Sequence, residues 1–310
     1  MNDLTVIIVS WNCRGDLADC LRSMKTEQGI AYPVIVVDNN SRDGTVEMLR
    51  RDFQEVQVIA NAENAGFAAA NNQGLSMGGS RYALLLNPDT VVHPGAFDAL
   101  VRFMDANPGV WAAGPAMLNR DGSPQRSGVR FPNTWNILCE ALFLDRLFPR
   151  SRLFGRHKEL YADGRVPRAV DYVQGSCIIV RREPMEKVGG LDEQFFMYFE
   201  EADWCYRMKE KGGQVYFVPG AKVTHVGGGE AGHYDETRLV HYHRSLLLFY
   251  RKHYPPLSAL LVRLVIVMRS FIRILVWTAV AIGRPGLRSS ALSSIRGYLH
   301  IPAIVVEHTA

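Results

Sequence analysis

Residues 34–49 read VIVVDNNSRDGTVEML. Val34–Val37 is a β-branched-rich run fit for a strand buried on both faces, and it ends in Asp38. Asn39–Gly44 is dense in turn formers, and Val46 and Leu49 then open a helical pattern. A buried strand, a polar turn and a helix make half of a βαβ unit, the repeating piece of a parallel sheet. The same pattern extends outward. Before it, Thr5–Ser10 (TVIIVS) is a second buried run, followed by Leu17, Cys20, Leu21 and Met24 at helical spacing. After it, Val56–Ile59 gives a third strand and Tyr82–Leu86 (YALLL) a fourth, which runs into Asn87-Pro88-Asp89. The alternation predicts an α/β fold with a mostly parallel central sheet and helices on both faces. Ligands of such sheets bind at the carboxyl ends of the strands, where Asn12, Asp38, Asn39, Asn87 and Asp89 fall.

The remainder is less regular. Residues 115–170 are rich in Pro, Arg and aromatics, with a turn at Asp121-Gly122 and a helix expected over Trp135–Phe148. Strand character returns at Tyr172–Val180 and Val215–Val218, and from about Asp235 the chain turns helical and basic. No internal repeat or low-complexity tract interrupts it.

With 310 residues, 47% of them hydrophobic, the chain can bury a large core. The start, MNDLTVIIVSWN, has no basic n-region and too short an apolar run for a secretion signal. Five cysteines form no C-x-x-C pair, so reduced thiols with packing roles are expected. The net charge of +4 hides an asymmetry. Residues 1–236 hold 25 Lys+Arg and 30 Asp+Glu, whereas 237–306 hold ten basic residues and no acid. That pattern suits an acidic catalytic body with a tail drawn to anionic lipid or phosphate, and argues against a uniformly basic nucleic-acid binder.

Three constellations carry chemistry. Asn87-Pro88-Asp89 emerges from a buried strand, so Asp89 is either a metal-ligand candidate or part of an ordinary turn. Phe195–Arg207 (FFMYFEEADWCYR) sets Glu200, Glu201 and Asp203 among aromatics. Desolvation there would make a better base, while the same acids would also suit a helix N-terminus. His225 precedes Gly227-Gly228-Gly229, where glycines permit close approach of a phosphate. Gly227, Gly229 and Gly232 also match G-x-G-x-x-G. No βαβ unit with a following acid accompanies them, so a dinucleotide site is rejected.

Taken together, TVIIVSWN, VVDNNSRDGT, NAGFAAANN, LLLNPDT, GGLDEQFFMYFEEADWCYR and VTHVGGG resemble the inverting glycosyltransferases of family 2 with a GT-A fold. Within that family they are most similar to the bacterial rhamnosyltransferases of cell-surface polysaccharide synthesis. The resemblance runs from about residue 4 to 230, with the motifs in the family's order. It implies that Asp38 binds a pyrimidine base, with Ser10, Trp11, Asn12 and Asn39 lining the same groove. Asn64, Gly66 and Asn71 would lie beside the nucleotide, and Asn87 would contribute hydrogen bonds. Asp89 and His225 would hold Mg²⁺ or Mn²⁺ on the diphosphate. Glu201 stands where the family has the aspartate of a Glu-Asp pair, one methylene longer, so Glu201 is expected as the base with Asp203 as the alternative. The implied donor is dTDP-rhamnose and the implied acceptor a polyprenyl-diphosphate-linked saccharide, at the cytoplasmic face of a bacterial inner membrane. Galactofuranose or mannose donors, and a non-catalytic scaffold of the same fold, are the rivals. A nucleotidyltransferase would want a Gly-rich basic loop where SWNCRGD stands.

The expected division is a GT-A domain over 1–230 and a helical, membrane-associating segment over 231–310. Residues 257–283 are long enough to span a bilayer, but Arg263, Arg269 and Arg273 interrupt them. An arginine near a bilayer centre costs about 2.5–3.5 kcal/mol. The three share roughly one-third of the helix surface, which predicts a helix lying in the interface with its arginines toward headgroups.

Overall fold

The expected buried strands form the heart of a sheet in the computed structural model, which describes residues 3–27, 31–148, 151, 153–154, 166–227 and 236–307. Among these, the elements begin with β1 (Leu4–Ser10), α1 (Arg14–Met24), β2 (Val34–Asp38), α2 (Thr45–Asp52), β3 (Gln57–Ala60), α3 (Phe67–Met77) and β4 (Tyr82–Leu86). Next come β5 (Thr90–Val92), α4 (Ala96–Ala106), β6 (Val110–Leu118), β7 (Gly128–Val129), α5 (Thr134–Ala141) and α6 (Leu144–Leu147). They are followed by β8 (Arg168–Ala169), β9 (Tyr172–Val173), β10 (Cys177–Arg181), α7 (Arg182–Val188), α8 (Glu200–Glu210) and β11 (Gln214–His225). The last are α9 (Glu236–His253), α10 (Pro256–Gly283) and α11 (Arg288–Glu307).

Contacts divide the chain into two units. The first comprises Met1–Arg130, Leu160–Phe196 and Glu200–Glu230; the second comprises Phe131–Glu159, Met197–Phe199 and Ala231–Ala310. The boundary expected at 230/231 lies outside the described residues, as do Gly228, Gly229 and Gly232. Residues 131–159 and 197–199, placed by sequence within the first domain, group with the C-terminal helices.

In the first unit the main sheet runs β3-β2-β1-β4-β10-β6-β11-β5, with β8 added against β11. β1 pairs in parallel with β2 and β4, as do β2 with β3 and β6 with β11, while β10 runs antiparallel between β4 and β6. Every residue of β1 is buried because both sheet faces are covered. Leu4, Val6 and Ile8 face a cluster with Leu17, Leu21, Phe97 and Leu100 of α1 and α4; Val9 faces Ala70 and Phe67 of α3. The pairing aligns Ser10 with Asp38 and Ile8 with Leu86, so β1, β2 and β4 end at one edge. Cys177 opposite Leu86 brings the start of antiparallel β10 to that edge, and His225 opposite Thr90 fixes the end of β11 beside the turn after β4. β11 is far longer than the four residues expected. It carries a register shift between Val218 and Lys222, around Pro219-Gly220, as a bulge accommodates a residue without an N–H.

The second unit corrects two expectations. The helix foreseen over Trp135–Phe148 breaks into α5 and α6 because Phe143 adopts φ +57°, which no α-helix tolerates. Two of the three arginines of α10, Arg269 and Arg273, turn inward. Arg269 comes within 4.0 Å of Glu140 and is only 16% exposed. Arg273 donates to the Glu140 carbonyl at 3.5 Å and lies 4.1 Å over the Phe143 ring. Periodicity put the three arginines on one side of the helix, and contacts with Glu140 and Phe143 turn Arg269 and Arg273 inward. No helix among the described residues is long and apolar enough to cross a membrane. The cysteines are all free, four buried and Cys13 half-buried, as their packing role requires.

Candidate active site

The strand-end edge is laced together by backbone and amide bonds. Asn39 N–H donates to the Ser10 carbonyl at 2.8 Å. Asn12, in left-handed conformation at φ +49°, donates its N–H to Ser41 Oγ and accepts from the Arg42 N–H through Oδ1. Asparagine tolerates this conformation better than most residues. The Ser10 hydroxyl meets Cys13 Sγ at 3.3 Å. Trp11, between them, is 56% exposed.

Several of the amides expected beside the nucleotide serve as scaffold. Asn39 donates to the Gly66 carbonyl at 3.1 Å and accepts from Asn61, which also reaches Gln73. Asn64 Oδ1 accepts the Gly66 N–H, and Asn71 donates to the Phe67 carbonyl one turn back in α3. Gly66 sits at φ +86°, and an added Cβ would lie 2.8 Å from Phe196 Cδ2. The glycine therefore admits Phe196, whose carbonyl accepts the Phe67 N–H. The resemblance put these residues beside the nucleotide, and the structure commits the amide groups to neighbouring backbone and side chains.

Several buried polar atoms on the segments around that edge have no partner within the protein. Asp38 is 1% exposed; its Oδ2 accepts the Ser41 N–H at 2.8 Å, while Oδ1 has no partner. Asn87 Oδ1, Ser176 Oγ, Glu200 Oε2, Glu201 Oε2 and His225 Nδ1 are likewise buried without a partner. Leaving one such group unsatisfied costs about 1–3 kcal/mol. Six of them on neighbouring segments are groups that a bound polar ligand can satisfy.

Asp89 and His225 meet directly, with Nε2 3.2 Å from Oδ1. The Asp89 carbonyl accepts the Val226 N–H, and the His225 carbonyl accepts Gln125 Nε2 at 2.7 Å, which fixes both segments. Any side chain at Gly227 would collide with Asp89 Oδ2, so the glycine keeps the carboxylate in place. Burial opposes ionisation of Asp89, but the His225 ring and the Gly227 N–H outweigh it and hold the carboxyl below its ordinary range. An ionised carboxylate beside an imidazole with one uncommitted nitrogen fits a divalent cation. No group of three His, Cys, Asp or Glu suited to a metal occurs among the described residues. A cation there would draw its other ligands from water and substrate oxygens, as Mg²⁺ commonly does.

Glu200, Glu201 and Asp203 occupy the first turn of α8, and their fates differ. Asp203 is fully buried and accepts from Arg207 Nε at 2.7 Å. The same guanidinium donates to the carbonyls of Val188 and Gly190 at 2.8 Å, so Asp203 anchors a clamp on the chain after α7. Glu201 Oε1 accepts a long contact from the Gly175 N–H at 3.4 Å, and its Oε2 has no partner. Burial pushes its carboxyl up, partly offset by backbone N–H groups of Glu201, Gly175 and Ala202. Glu200 is pushed well up by burial and then by the charge of Glu201. The Gly175-Ser176 pair ties the acid to the strand ends, since the Ser176 carbonyl accepts the Asn87 N–H at 2.9 Å. Asn87, Asp89, His225 and Glu201 are thereby linked through two short relays. Ser176 and Gln125 were missed by sequence reasoning. A single serine before CIIVR and a glutamine in an irregular stretch carry no spacing signal.

The model of the family described as "Glycosyl transferase family 2" matches residues 5–189. An N-acetylglucosaminyl-diphospho-decaprenol L-rhamnosyltransferase of Mycobacterium tuberculosis is 27% identical over 257 residues, covering 79% of this chain and 83% of that protein. The dTDP-rhamnosyl transferase RfbF of Shigella flexneri is 25% identical, covering 74% of this chain and 71% of its own. Among solved structures, the mannosyltransferase PcManGT from Pyrobaculum calidifontis, in complex with GDP-Man and Mn²⁺, superposes with a TM-score of 0.56 at 16% identity. The match covers 98% of this chain and 88% of that one. GalNAc-T7 with UDP, GalNAc and Mn²⁺ gives 0.57 at 17% identity over 79% of this chain and 48% of its own. The sheet and its helices are thus GT-A-like, with further helices at the C-terminus.

Proposed function

The chain belongs to glycosyl transferase family 2, and on that premise we propose that it transfers a hexose from a nucleoside-diphosphate donor to a lipid-linked saccharide with inversion. The observation that carries the reading is the set of six buried, unpartnered polar atoms at the carboxyl edge of the sheet. Two relatives named as rhamnosyltransferases, one acting on a decaprenol-linked diphospho-sugar, support dTDP-rhamnose as donor and a polyprenyl-diphosphate-linked saccharide as acceptor. Such an acceptor sets the reaction at the cytoplasmic face of a bacterial inner membrane, in the synthesis of cell-surface polysaccharide.

Each residue then has a task. Asp38 accepts from the pyrimidine with its open Oδ1, and Trp11, Ser10 and Asn12 border the nucleoside. Asn39, Asn64, Gly66 and Asn71 hold the walls of that groove rather than the ligand. Asn87 and Ser176 offer hydrogen bonds at the donor. Asp89 and His225 hold Mg²⁺ or Mn²⁺, which when bound neutralises charge on the departing diphosphate. Glu201 is the base: its carboxylate takes the acceptor hydroxyl proton as the oxygen bonds the anomeric carbon. The bond from that carbon to the diphosphate breaks in the same displacement, and its electron pair leaves with the nucleoside diphosphate. Burial, by raising the pKa of Glu201, makes it the stronger proton acceptor. Asp203, held by Arg207, is a structural anchor.

The test is a donor panel of dTDP-rhamnose, UDP-galactofuranose and GDP-mannose with a polyprenyl-diphosphate N-acetylglucosamine acceptor, the product read by mass spectrometry. Transfer from dTDP-rhamnose that stops with EDTA is expected. Folded protein that binds none of the three donors and forms no product would leave the non-catalytic reading in its place.

A further inference from the structure

The step into α8 is held in a conformation that its residues do not favour. Tyr198 and Phe199 sit at φ +70° and +65°, in the left-handed region. Neither is glycine, asparagine or aspartate, the residues that enter it readily. Two aromatic residues in succession stay there only where surrounding contacts over-determine them, and such outliers gather at functional sites. Glu200 and Glu201 follow at once as the first residues of α8, so this step sets the direction in which they leave the backbone.

The contacts that hold the step come from α9. Met197–Phe199 group with the C-terminal helices and not with the residues on either side of them. The Ser245 hydroxyl donates to the Met197 carbonyl at 2.7 Å. A serine within a helix commonly bonds the carbonyl one turn back, as Ser270 of α10 does to Ile266 at 2.9 Å. Ser245, 5% exposed, instead turns its hydroxyl to a carbonyl 48 residues away. Tyr242, three residues earlier on the same face, packs its ring 5.3 Å from that of Phe199 and 6.1 Å from that of Tyr198. Phe249, one turn after Ser245 and fully buried, lies 5.8 Å from the Phe199 ring.

We propose that Ser245 and Tyr242 are positioning residues for Glu201: they hold Met197–Phe199 in the left-handed step and so fix where the carboxylate stands. The proposal rests on Glu201 as the base of the reaction inferred above. One arm of its test reads the carboxylate without any transfer, so the two fail separately.

Ser245→Ala should lower kcat about tenfold and leave the donor KM and the affinity for nucleoside diphosphate unchanged, because a displaced base costs rate and not binding. Ser245→Thr, which keeps the hydroxyl, should recover most of the rate. The second arm follows the Gly175 amide, whose N–H reaches Glu201 Oε1 at 3.4 Å. In glycine-labelled protein its resonance, assigned by its absence from Gly175→Ala, should move in Ser245→Ala and return in Ser245→Thr. A helix contact that served stability alone would lower the melting temperature and leave both kcat and that resonance in place. If Ser245→Ala does not fold, Tyr242→Leu removes the ring and keeps the apolar bulk, and the same changes are expected. In a protein that transfers sugar, an unchanged kcat in the folded variants overturns the proposal. So does an unmoved Gly175 resonance, or a loss of nucleotide affinity that matches the loss of rate. A Gly175 resonance that follows Ser245 in a protein that transfers no sugar would sink the base reading and leave the positioning standing.

Discussion

The strand-end edge and the C-terminal helices break the rules of folding in opposite ways. At the edge, polar atoms of Asp38, Asn87, Ser176, Glu200, Glu201 and His225 are buried without partners. On α10 and α11, large apolar side chains such as Leu264, Leu275 and Leu299 stand in solvent. A water-soluble fold shaped only by stability would invert both choices. The first departure suits a polar ligand that must be gripped and released, whereas the second leaves apolar side chains in water. Each region can be read by asking which substitutions harm activity, which harm stability, and which harm neither.

The largest effect is expected at Asp89. Asp89→Ala should lower transfer roughly 10⁴-fold, several kcal/mol of lost charge stabilisation, while the melting temperature stays close to wild type. Removal of divalent metal by EDTA should reproduce the loss in the wild type, and re-addition of Mn²⁺ should restore only the wild type. A variant that melts early would mean that the Asp89–His225 contact serves the fold and would blur the contrast between the regions.

Next comes the comparison inside α8. Glu201→Gln should cut kcat/KM roughly 10²–10³-fold with unchanged stability. Asp203→Asn should instead cost about 3–5 kcal/mol of stability by stripping Arg207 of its buried partner. Equal activity loss with no change in melting for Asp203→Asn would return it as a candidate base. Because burial raises the Glu201 carboxyl, the acid limb of kcat/KM against pH should lie above the ordinary glutamate value of about 4.3. Activity is then lost as pH falls through that raised value. Glu200 gives the matching stability test. Its raised pKa favours the protonated form in the folded state, so its contribution is full below the unfolded value and lost as pH rises. Glu200→Gln should therefore raise the melting temperature at pH 7, with the gain vanishing near pH 4.

These residues also show where sequence is legible. Thr5–Ser10, Val34–Asp38 and Tyr82–Leu86 were readable because strands buried on both faces must be continuously apolar. β6 escaped notice because Ala112, Ala113, Gly114 and Pro115 lack the bulk that marks a strand. Asp89, His225 and Glu201 stood out by motif, and the structure links them. The asparagines could be placed at the edge but not given tasks, since one amide can bond a ligand or a neighbouring backbone. Asn39, Asn64 and Asn71 do the latter. On α10, spacing put three arginines on one face, but inward and outward are properties of the neighbours. Glu140 and Phe143 took Arg269 and Arg273 inside.

A smaller effect is expected at Gly66, where φ is +86° and Phe196 fills the place of a side chain. Gly66→Ala should destabilise by more than about 1 kcal/mol, since both the conformation and the space exclude a methyl group. Denaturant unfolding measures it. An unchanged midpoint would mean that Phe196 moves aside readily and that the groove wall is softer than its contacts suggest.

The smallest effects sharpen the contrast most, because they are expected on large apolar residues. Leu264→Gln or Phe271→Gln should shift stability by no more than about 0.5 kcal/mol, since water already reaches both side chains. Ile266, two residues from Leu264 on the same helix, is fully buried, and Ile266→Ala should cost about 2–5 kcal/mol. The comparison holds helix, sequence neighbourhood and residue class nearly constant and varies only the face. Denaturant midpoints that separated Ile266 from Leu264 would show that the exposed face contributes nothing to folding. Similar losses at both positions would mean that the face is packed in solution, and the contrast with the strand-end edge would be lost.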